Sequence, residues 1–456
     1  MRKRVIGLSL MFVMVIAAAG CGDKAGMEEL ENIEVVVEET NMDEGNAEDM
    51  DAEAEKSNVA DAVEETAGET DSVDTITAPE HVNDDVADVA DADEAVPDSA
   101  GEFVQNMKIG WNLGNTFDAS SDQNKEDELA YESDWCGIVT TKEMVDAVKA
   151  AGFQTMRIPV SWHNHVTQDG NYTISAVWMD RVQEVVDYAI DNDMYVIINI
   201  HHDNSTDYMY PAQEYMEQSK SYVSSVWSQI AERFADYDEH LIMEALNEPR
   251  LVGTNNEWWL DMNNQDCVEA VQCINELNQV FVDTVRASGG NNRGRYLLVP
   301  GYAASLQGAT NEYFVLPQDV EGNDNKIMVE VHAYIPYHFA LEAPGESGST
   351  DQWSADNASD TSEIDSMMDT LYEKYVQNGV GVVIDEFGAR DKGNNIEART
   401  DFAAYYVAAA RERGITCCWW DNNAFAGNGE NFGIFRRMVC QFLYPDLVEG
   451  MMKAVE

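Results

Sequence analysis

The chain has 456 residues, with 85 acidic against 27 basic side chains and a formal net charge of −58. A surface this acidic repels nucleic acid and anionic lipid and excludes both as partners held by charge, while neutral polymers stay unopposed. The length suits one large domain or two ordinary ones.

Residues 1–21 read as a targeting segment. Arg2-Lys3-Arg4 is a basic start, and Val5 to Ala19 is an apolar run too short to span a bilayer comfortably. It ends in Ala18-Ala19-Gly20-Cys21, small residues before a cysteine, which resembles a bacterial lipoprotein signal acylated at Cys21. The expectation is a cell-surface protein whose only membrane contact is that lipid; an ordinary secretory signal is the alternative. Residues 22–100 hold 28 acidic residues, two lysines and no aromatic. Such a segment cannot bury enough surface to offset its ordering entropy, so it reads as a disordered acidic linker.

From residue 101 to 456, strand and helix patterns alternate. The expected strands are Met107–Trp111, Phe153–Val160, Tyr195–Ile200, the run from Leu241 to Leu246, Tyr296–Pro300, Ile327–Val331, the run from Gly381 to Glu386, and Ile415–Trp420. Helices fall between them. Thr140 and Glu143 suggest a capping box for the first. Val182, Val185, Val186, Ala189 and Ile190 give a single apolar face on the next. Further helices are expected near 219–236, 268–287, 362–378, 397–413 and 444–454. Apolar runs without alternation suit strands covered on both faces, and eight strand–helix units predict a single (β/α)8 barrel. Six cysteines follow the signal segment without zinc-ligand spacing. Cys267 with Cys273 is a plausible local bridge, and free buried thiols are equally consistent.

Polar residues gather at the expected strand ends: Arg157, His201, His202, Asn247, Glu248, His332, Tyr334, Glu386 and Trp420. Each alone has a structural explanation. Their convergence on the rim where barrel enzymes do chemistry does not.

The strings GWNLGNTFDA (110–119), RIPVSW (157–162), INIHHD (198–203), EALNEP (244–249), VHAY (331–334), DEFG (385–388) and WWDN (419–422) resemble glycoside hydrolase family 5, most of all its bacterial endoglucanases. The resemblance implies a retaining endo-β-1,4-glucanase acting on cellulose or related β-glucans as a monomer, with no cofactor and no metal. It implies Glu248 as acid/base, Glu386 as nucleophile, and Arg157 and Tyr334 as the groups that keep Glu386 ionised. Asn247 matches the residue on the sugar 2-hydroxyl, His201 and His332 the positioning histidines, and Trp420 the floor under the reacting sugar. His202, Asn112 and Asn115 are further substrate-binding candidates. Retention requires the two carboxyl groups at about 5–5.5 Å. Trp111, Phe117, Trp135, Trp162, Trp178, Trp258, Trp259 and Trp353 are candidates for outer subsites; Trp135 and Trp353, in long loops, are the preferred stacking positions, and most of the others read as core or loop packing. Xyloglucan, mixed-linkage glucan and mannan are alternative substrates. A surface glycan-binding lipoprotein without catalysis is the alternative of another class.

Overall fold

The computed structural model describes residues 99–456 apart from Asn124, Asn394 and Asn428. The signal segment, Cys21 and the acidic linker through Asp98 lie outside the described residues.

Eight parallel strands close into a barrel in chain order: β1 (Ile109–Asn112), β2 (Thr155–Ile158), β3 (Tyr195–Asn199), β4 (Leu241–Glu244), β5 (Leu297–Pro300), β6 (Ile327–His332), β7 (Val382–Phe387) and β8 (Thr416–Trp419), with β8 pairing back to β1. The helices are α1 (Ala100–Asn106), α2 (Lys142–Ala150), α3 (Ala176–Ile190), α4 (Met216–Arg233), α5 (Gln265–Ala287), α6 (Leu306–Thr310), α7 (Tyr337–Ala340), α8 (Ala358–Lys374), α9 (Ile396–Glu412) and α10 (Pro445–Lys453).

The apolar runs resolve into two faces. Ile109, Trp111, Met156, Ile158, Val196, Ile198, Leu241, Met243, Val382 and Ile384 belong to the large cluster beneath the helices. Ile197, Ile242, Leu298, Met328, Val383 and Cys418 form a second cluster inside the barrel. This is the two-residue alternation of strands hidden by burial on both sides. Cys417 and Trp419 face outward and Cys418 inward.

Helix α1 was not expected. It starts at Ser99, whose hydroxyl accepts the Glu102 N–H, and it closes the N-terminal end of the barrel. Phe103 stacks on Tyr296 at 3.7 Å and meets Tyr195 edge-on at 5.3 Å. Helix α2 begins one residue later than its capping signal suggested. Its N-cap is Thr141, which makes no side-chain cap bond, while Thr140 is buried with its N–H on Glu132. Cys267 and Cys273 are free, as are the other four cysteines of the described residues. Both lie on α5, where six residues of helical rise separate them by about 9 Å, beyond disulfide reach.

Strand β7 carries a bulge. Its pairing steps from Glu330↔Val383 to His332↔Glu386 against β6, and from Ile384↔Cys417 to Phe387↔Trp419 against β8. Both neighbours advance two residues where β7 advances three. The extra residue breaks the alternation, so that consecutive Asp385 and Glu386 both reach the barrel interior.

Candidate active site

Along the inward face of five strands, small or apolar residues and Thr155 at the bottom give way to hydrogen-bonding ones at the top: Gly110 then Asn112, Thr155 then Arg157, Ile197 then Asn199, Ile242 then Glu244, Met328 then Glu330 and His332. Arg157 organises this upper layer. Its Nε and Nη2 donate to the two oxygens of Glu244, at 2.7 Å each, and Nη2 also donates to Asn247 Oδ1 at 2.7 Å. Nη1 donates to Glu386 at 2.7 Å and to Asn112 at 3.1 Å. The guanidinium is fully buried, so it acts on a substrate only through the carboxylates and amides it holds, Glu386 among them, as its expected role of keeping that residue ionised requires.

Asn112 differs from expectation. It is fully buried, and its amide donates to the carbonyls of Asp385 and Trp419 at 2.8 and 3.2 Å. Every part of that side chain is committed to the barrel. Asn115 adopts φ 57° in the turn after β1, where Asp118 accepts its N–H.

Glu386 is held on both oxygens, by Arg157 on one and by the Tyr334 hydroxyl at 2.8 Å on the other. Two donors suit the acceptor-only carboxylate. Burial, followed by the Glu386 charge, pushes the Tyr334 phenol well above its ordinary range, so it keeps its donor proton. Across the gap, His332 Nδ1 lies 2.8 Å from Glu248 Oε1 and 3.6 Å from Glu386 Oε2. One oxygen of each glutamate and a ring nitrogen of His332 fit within 4.8 Å of one another.

The electrostatics of Glu248 reverse the setting expected for an acid. Burial raises its carboxyl, but the hydrogen bond and charge of His332, then Arg250 and His202, outweigh that and leave it lowered. Burial pulls the His332 imidazole down, yet Glu386, Glu248 and Asp385 together hold it at about 9. The pair therefore carries one proton between them at neutral pH, resting on the ring.

Because Asn247 Oδ1 accepts from Arg157, its NH2 is left free to donate toward the cleft. His201 Nδ1 accepts from Asn199, which leaves Nε2–H as its donor. Burial keeps this ring neutral. Trp420 lies parallel to His201, with centroids 6.0 Å apart. A Cβ on Gly114 would come within 2.8 Å of the Trp420 ring, so glycine is required beneath it. His202 is more open, 4.0 Å from Asp118 and 5.6 Å from the Trp135 ring, and burial brings it to about 4.

Trp353 is not a cleft residue. It is 6% exposed and packs on Phe339, Phe402 and Tyr405. Trp258 and Trp259 are 51% and 60% exposed, against the packing expected of them. Arg250 lies over the Trp258 ring at 3.9 Å and within 3.7 Å of Glu248. The sequence reading overlooked Asn199, Glu244, Glu330 and Asp385. A signal existed: each is a polar interruption of an apolar strand.

The family model Cellulase (glycosyl hydrolase family 5) matches residues 117–426. Endoglucanase 1 of Ruminococcus albus is 42% identical over 353 residues, covering 77% of this chain and 80% of its own. Endoglucanase B of Neocallimastix patriciarum is 41% identical over 361 residues, covering 78% and 72%. Among solved structures, a family 5 lichenase from Caldicellulosiruptor sp. F32 shares 58% identity with a TM-score of 0.78, over 79% of this chain and 96% of that one. A GH5-4 broad specificity endoglucanase from Ruminococcus champanellensis with bound cellotriose shares 44% identity with a TM-score of 0.71, over 78% and 98%.

Proposed function

The chain belongs to glycosyl hydrolase family 5, in its endoglucanase branch, and from that footing we propose that it cuts internal β-1,4 bonds of β-glucans with retention, Glu386 acting as nucleophile and Glu248 as acid/base. The observation that carries this reading is the close approach of the two carboxylates, with one oxygen of each inside 4.8 Å. Inversion needs about 6.5–9.5 Å to seat a water between them, and retention about 5–5.5 Å.

In the first step a Glu386 oxygen forms a bond to the anomeric carbon. The glycosidic C–O bond breaks, and the leaving oxygen takes the proton held by the Glu248–His332 pair. Glu386 loses its negative charge to the ester bond as the Glu248–His332 pair loses its proton, so the total charge of the site stays constant. In the second step Glu248 takes a proton from water, whose oxygen displaces Glu386 from the sugar. The free Asn247 NH2 is placed to donate to the sugar 2-hydroxyl, Nε2–H of His201 to a second hydroxyl, and the Trp420 face to cover the ring.

The test is product analysis on cellulosic, mixed-linkage, xyloglucan and mannan substrates, with the anomer followed by NMR and Glu248→Gln and Glu386→Gln run beside wild type. The β-anomer is expected first. An initial α-product, or activity surviving in both variants, would remove the mechanism. The 58% identity to a lichenase favours mixed-linkage glucan as a second substrate, which the same panel measures by kcat/KM.

The basic start, apolar run and Cys21 support export and lipid anchoring at the cell surface. Fatty-acid labelling that is lost in Cys21→Ala is the expected result; labelling unchanged by that substitution removes the anchor.

A further inference from the structure

Glu330 of β6 and Asp385 of β7 lie completely enclosed below the catalytic gap, and neither takes part in the steps above. No hydrogen bond satisfies either carboxyl oxygen of these two residues, or Nε2 of His332. Yet they face one another. Asp385 Oδ1 stands 3.4 Å and Glu330 Oε1 4.0 Å from that nitrogen, and the three groups fit within 4.8 Å. Asp385 follows the alternation of Val383 inward and Ile384 outward, and the β7 bulge after Ile384 turns the next residue, Glu386, inward beside it.

Charge counting decides the state of this pair. Were Glu244, Glu248, Glu330, Asp385 and Glu386 all ionised, five negative charges would face three cations, Arg157, His332 and the Arg250 guanidinium beside Glu248, with Glu244, Glu330 and Asp385 shut away from water. Unbalanced buried charge of that kind is relieved by proton uptake. Glu244 already has Arg157 in a two-pronged bond, and Glu386 has Arg157 and Tyr334. Asp385 Oδ2 also lies 3.5 Å from Arg157 Nε, but that N–H is donated to Glu244 at 2.7 Å, so the carboxyls without a hydrogen bond, and left to hold protons, are Glu330 and Asp385. Burial first, then the Glu244 charge, pushes both well above the ordinary carboxylate range.

We propose that Glu330 and Asp385 form a proton-holding pair on Nε2 of His332 and, as positioning residues, set the tautomer and charge of the imidazole that serves Glu248. The proposal rests on the reading of Glu248 as acid/base. With a neutral ring, a carboxylic O–H of the pair donates to Nε2, which fixes the ring proton on Nδ1 facing Glu248. With a cationic ring, Nε2–H donates to the resulting carboxylate. One proton moves between a carboxyl oxygen and Nε2, and none leaves the cluster. As pH rises, ionisation of the pair places negative charge beside the ring and tightens its hold on its protons.

Other ionisable groups face the cluster from the remaining elements: Arg157 of β2, His201 and His202 after β3, and Glu244 of β4, with Arg250 in the loop beyond it. Tyr334 follows β6, Cys418 lies in β8, and Glu430 belongs to the loop after β8. All of these are unchanged in the variants used below.

Glu330→Gln, Asp385→Asn and the double variant are compared with wild type in pH profiles of kcat/KM on a soluble β-glucan and on 2,4-dinitrophenyl β-cellobioside. The alkaline limb on the glucan is expected to move down by about one pH unit in each single variant, and further in the double. A uniform loss at every pH, with the limb unmoved, makes the pair mere packing and overturns the proposal. The dinitrophenolate leaves without a proton, so wild type should lose its alkaline limb on that substrate. Should the limb persist there unchanged, the acid/base reading itself fails. If an amide variant does not fold, 15N shifts of His332 in wild type, followed to a pH above about 9 where the ring is neutral, decide. A neutral ring protonated on Nδ1 with Nε2 accepting supports the pair, and the opposite tautomer overturns it.

Discussion

His332 Nδ1 stands 2.8 Å from one oxygen of Glu248 and 3.6 Å from one oxygen of Glu386, so a single imidazole borders both carboxylates. During double displacement net negative charge moves from Glu386 to the Glu248–His332 pair and back, and this ring lies between the two carboxylates. It is a cation while both are ionised and gives up that charge when Glu386 is esterified and the proton has left. His332→Gln keeps a donor but gives up the charge and the proton. It should lower kcat/KM on glucan by about 10²–10³-fold, within the range of a lost proton-transfer partner. Hydrolysis of a dinitrophenyl glycoside should fall less, because its leaving group needs no acid. Equal losses on both substrates would assign His332 to Glu386 alone.

Arg157 gives the second expectation. Its guanidinium spans Glu244, Asn247, Asn112 and Glu386 with donors fixed in one plane, a geometry that an ammonium cannot copy. Arg157→Lys should fold, with kcat reduced by about 10²-fold or more, because Glu386 and Asn247 lose their common support. Arg157→Ala leaves Glu244 buried without its partner and should cost about 3–5 kcal/mol in denaturant unfolding. A lysine variant at wild-type kcat would show that the fork has no part in catalysis.

The strand order, the closed barrel and the strand-end residues were legible because burial on both faces and chain reversal after each strand leave a mark in the sequence. The inner polar layer was not. Glu244 and Asp385 stand inside otherwise apolar runs, where they read as strand ends with nothing to show that Arg157, far away in sequence, meets both of them. The β7 bulge was also invisible, since one extra residue in six leaves no periodic trace. Without it, alternation from Val383 inward and Ile384 outward would leave Asp385 inside and turn Glu386 to the outer face. Trp353 and Trp258 were exchanged for a related reason: both lie in long loops, and only the packing of Phe339 and Phe402 against one ring separates core from platform.

Stability should fall on both sides of a middle pH window. The buried His165 stacks on Trp178 at 3.7 Å, and burial brings it to about 4, below its ordinary 6.5. The unfolded chain binds that proton first, so stability is present above about pH 6.5 and is lost as pH falls toward 4. His332, held at about 9 against Glu248, Glu386 and Asp385, has the opposite sign. Its contribution is complete below about pH 6.5 and is lost as pH rises through 9. Each group should account for roughly 1–3 kcal/mol. Urea unfolding across this range should show the alkaline slope flattened in His332→Gln and the acid slope flattened in His165→Gln. Slopes unchanged in both variants would place the titrating groups elsewhere.

Trp258 offers the last expectation, on the leaving-group side of the cleft. Its ring is about half exposed, and the Arg250 guanidinium lies over it at 3.9 Å while reaching to 3.7 Å from Glu248. Glu248 must meet the glycosidic oxygen, so a sugar beyond that oxygen passes on the Arg250–Trp258 side. A flat ring there can cover the apolar face of a pyranose, an interaction of about 0.5–1.5 kcal/mol beyond area burial. Trp135 stands beside His202 and has no contact of this kind with the acid/base. Trp258→Ala should therefore lower kcat/KM on long oligosaccharides by about 3–15-fold. It should also shift cleavage so that shorter fragments depart from the reducing side, while Trp135→Ala alters the pattern from the other end. On an aryl cellobioside, where no sugar occupies the leaving-group side, Trp258→Ala should act like wild type. Cleavage patterns of end-labelled oligosaccharides separate the two residues. An equal loss on the aryl substrate would mean that Trp258 acts through Arg250 on Glu248 and touches no sugar.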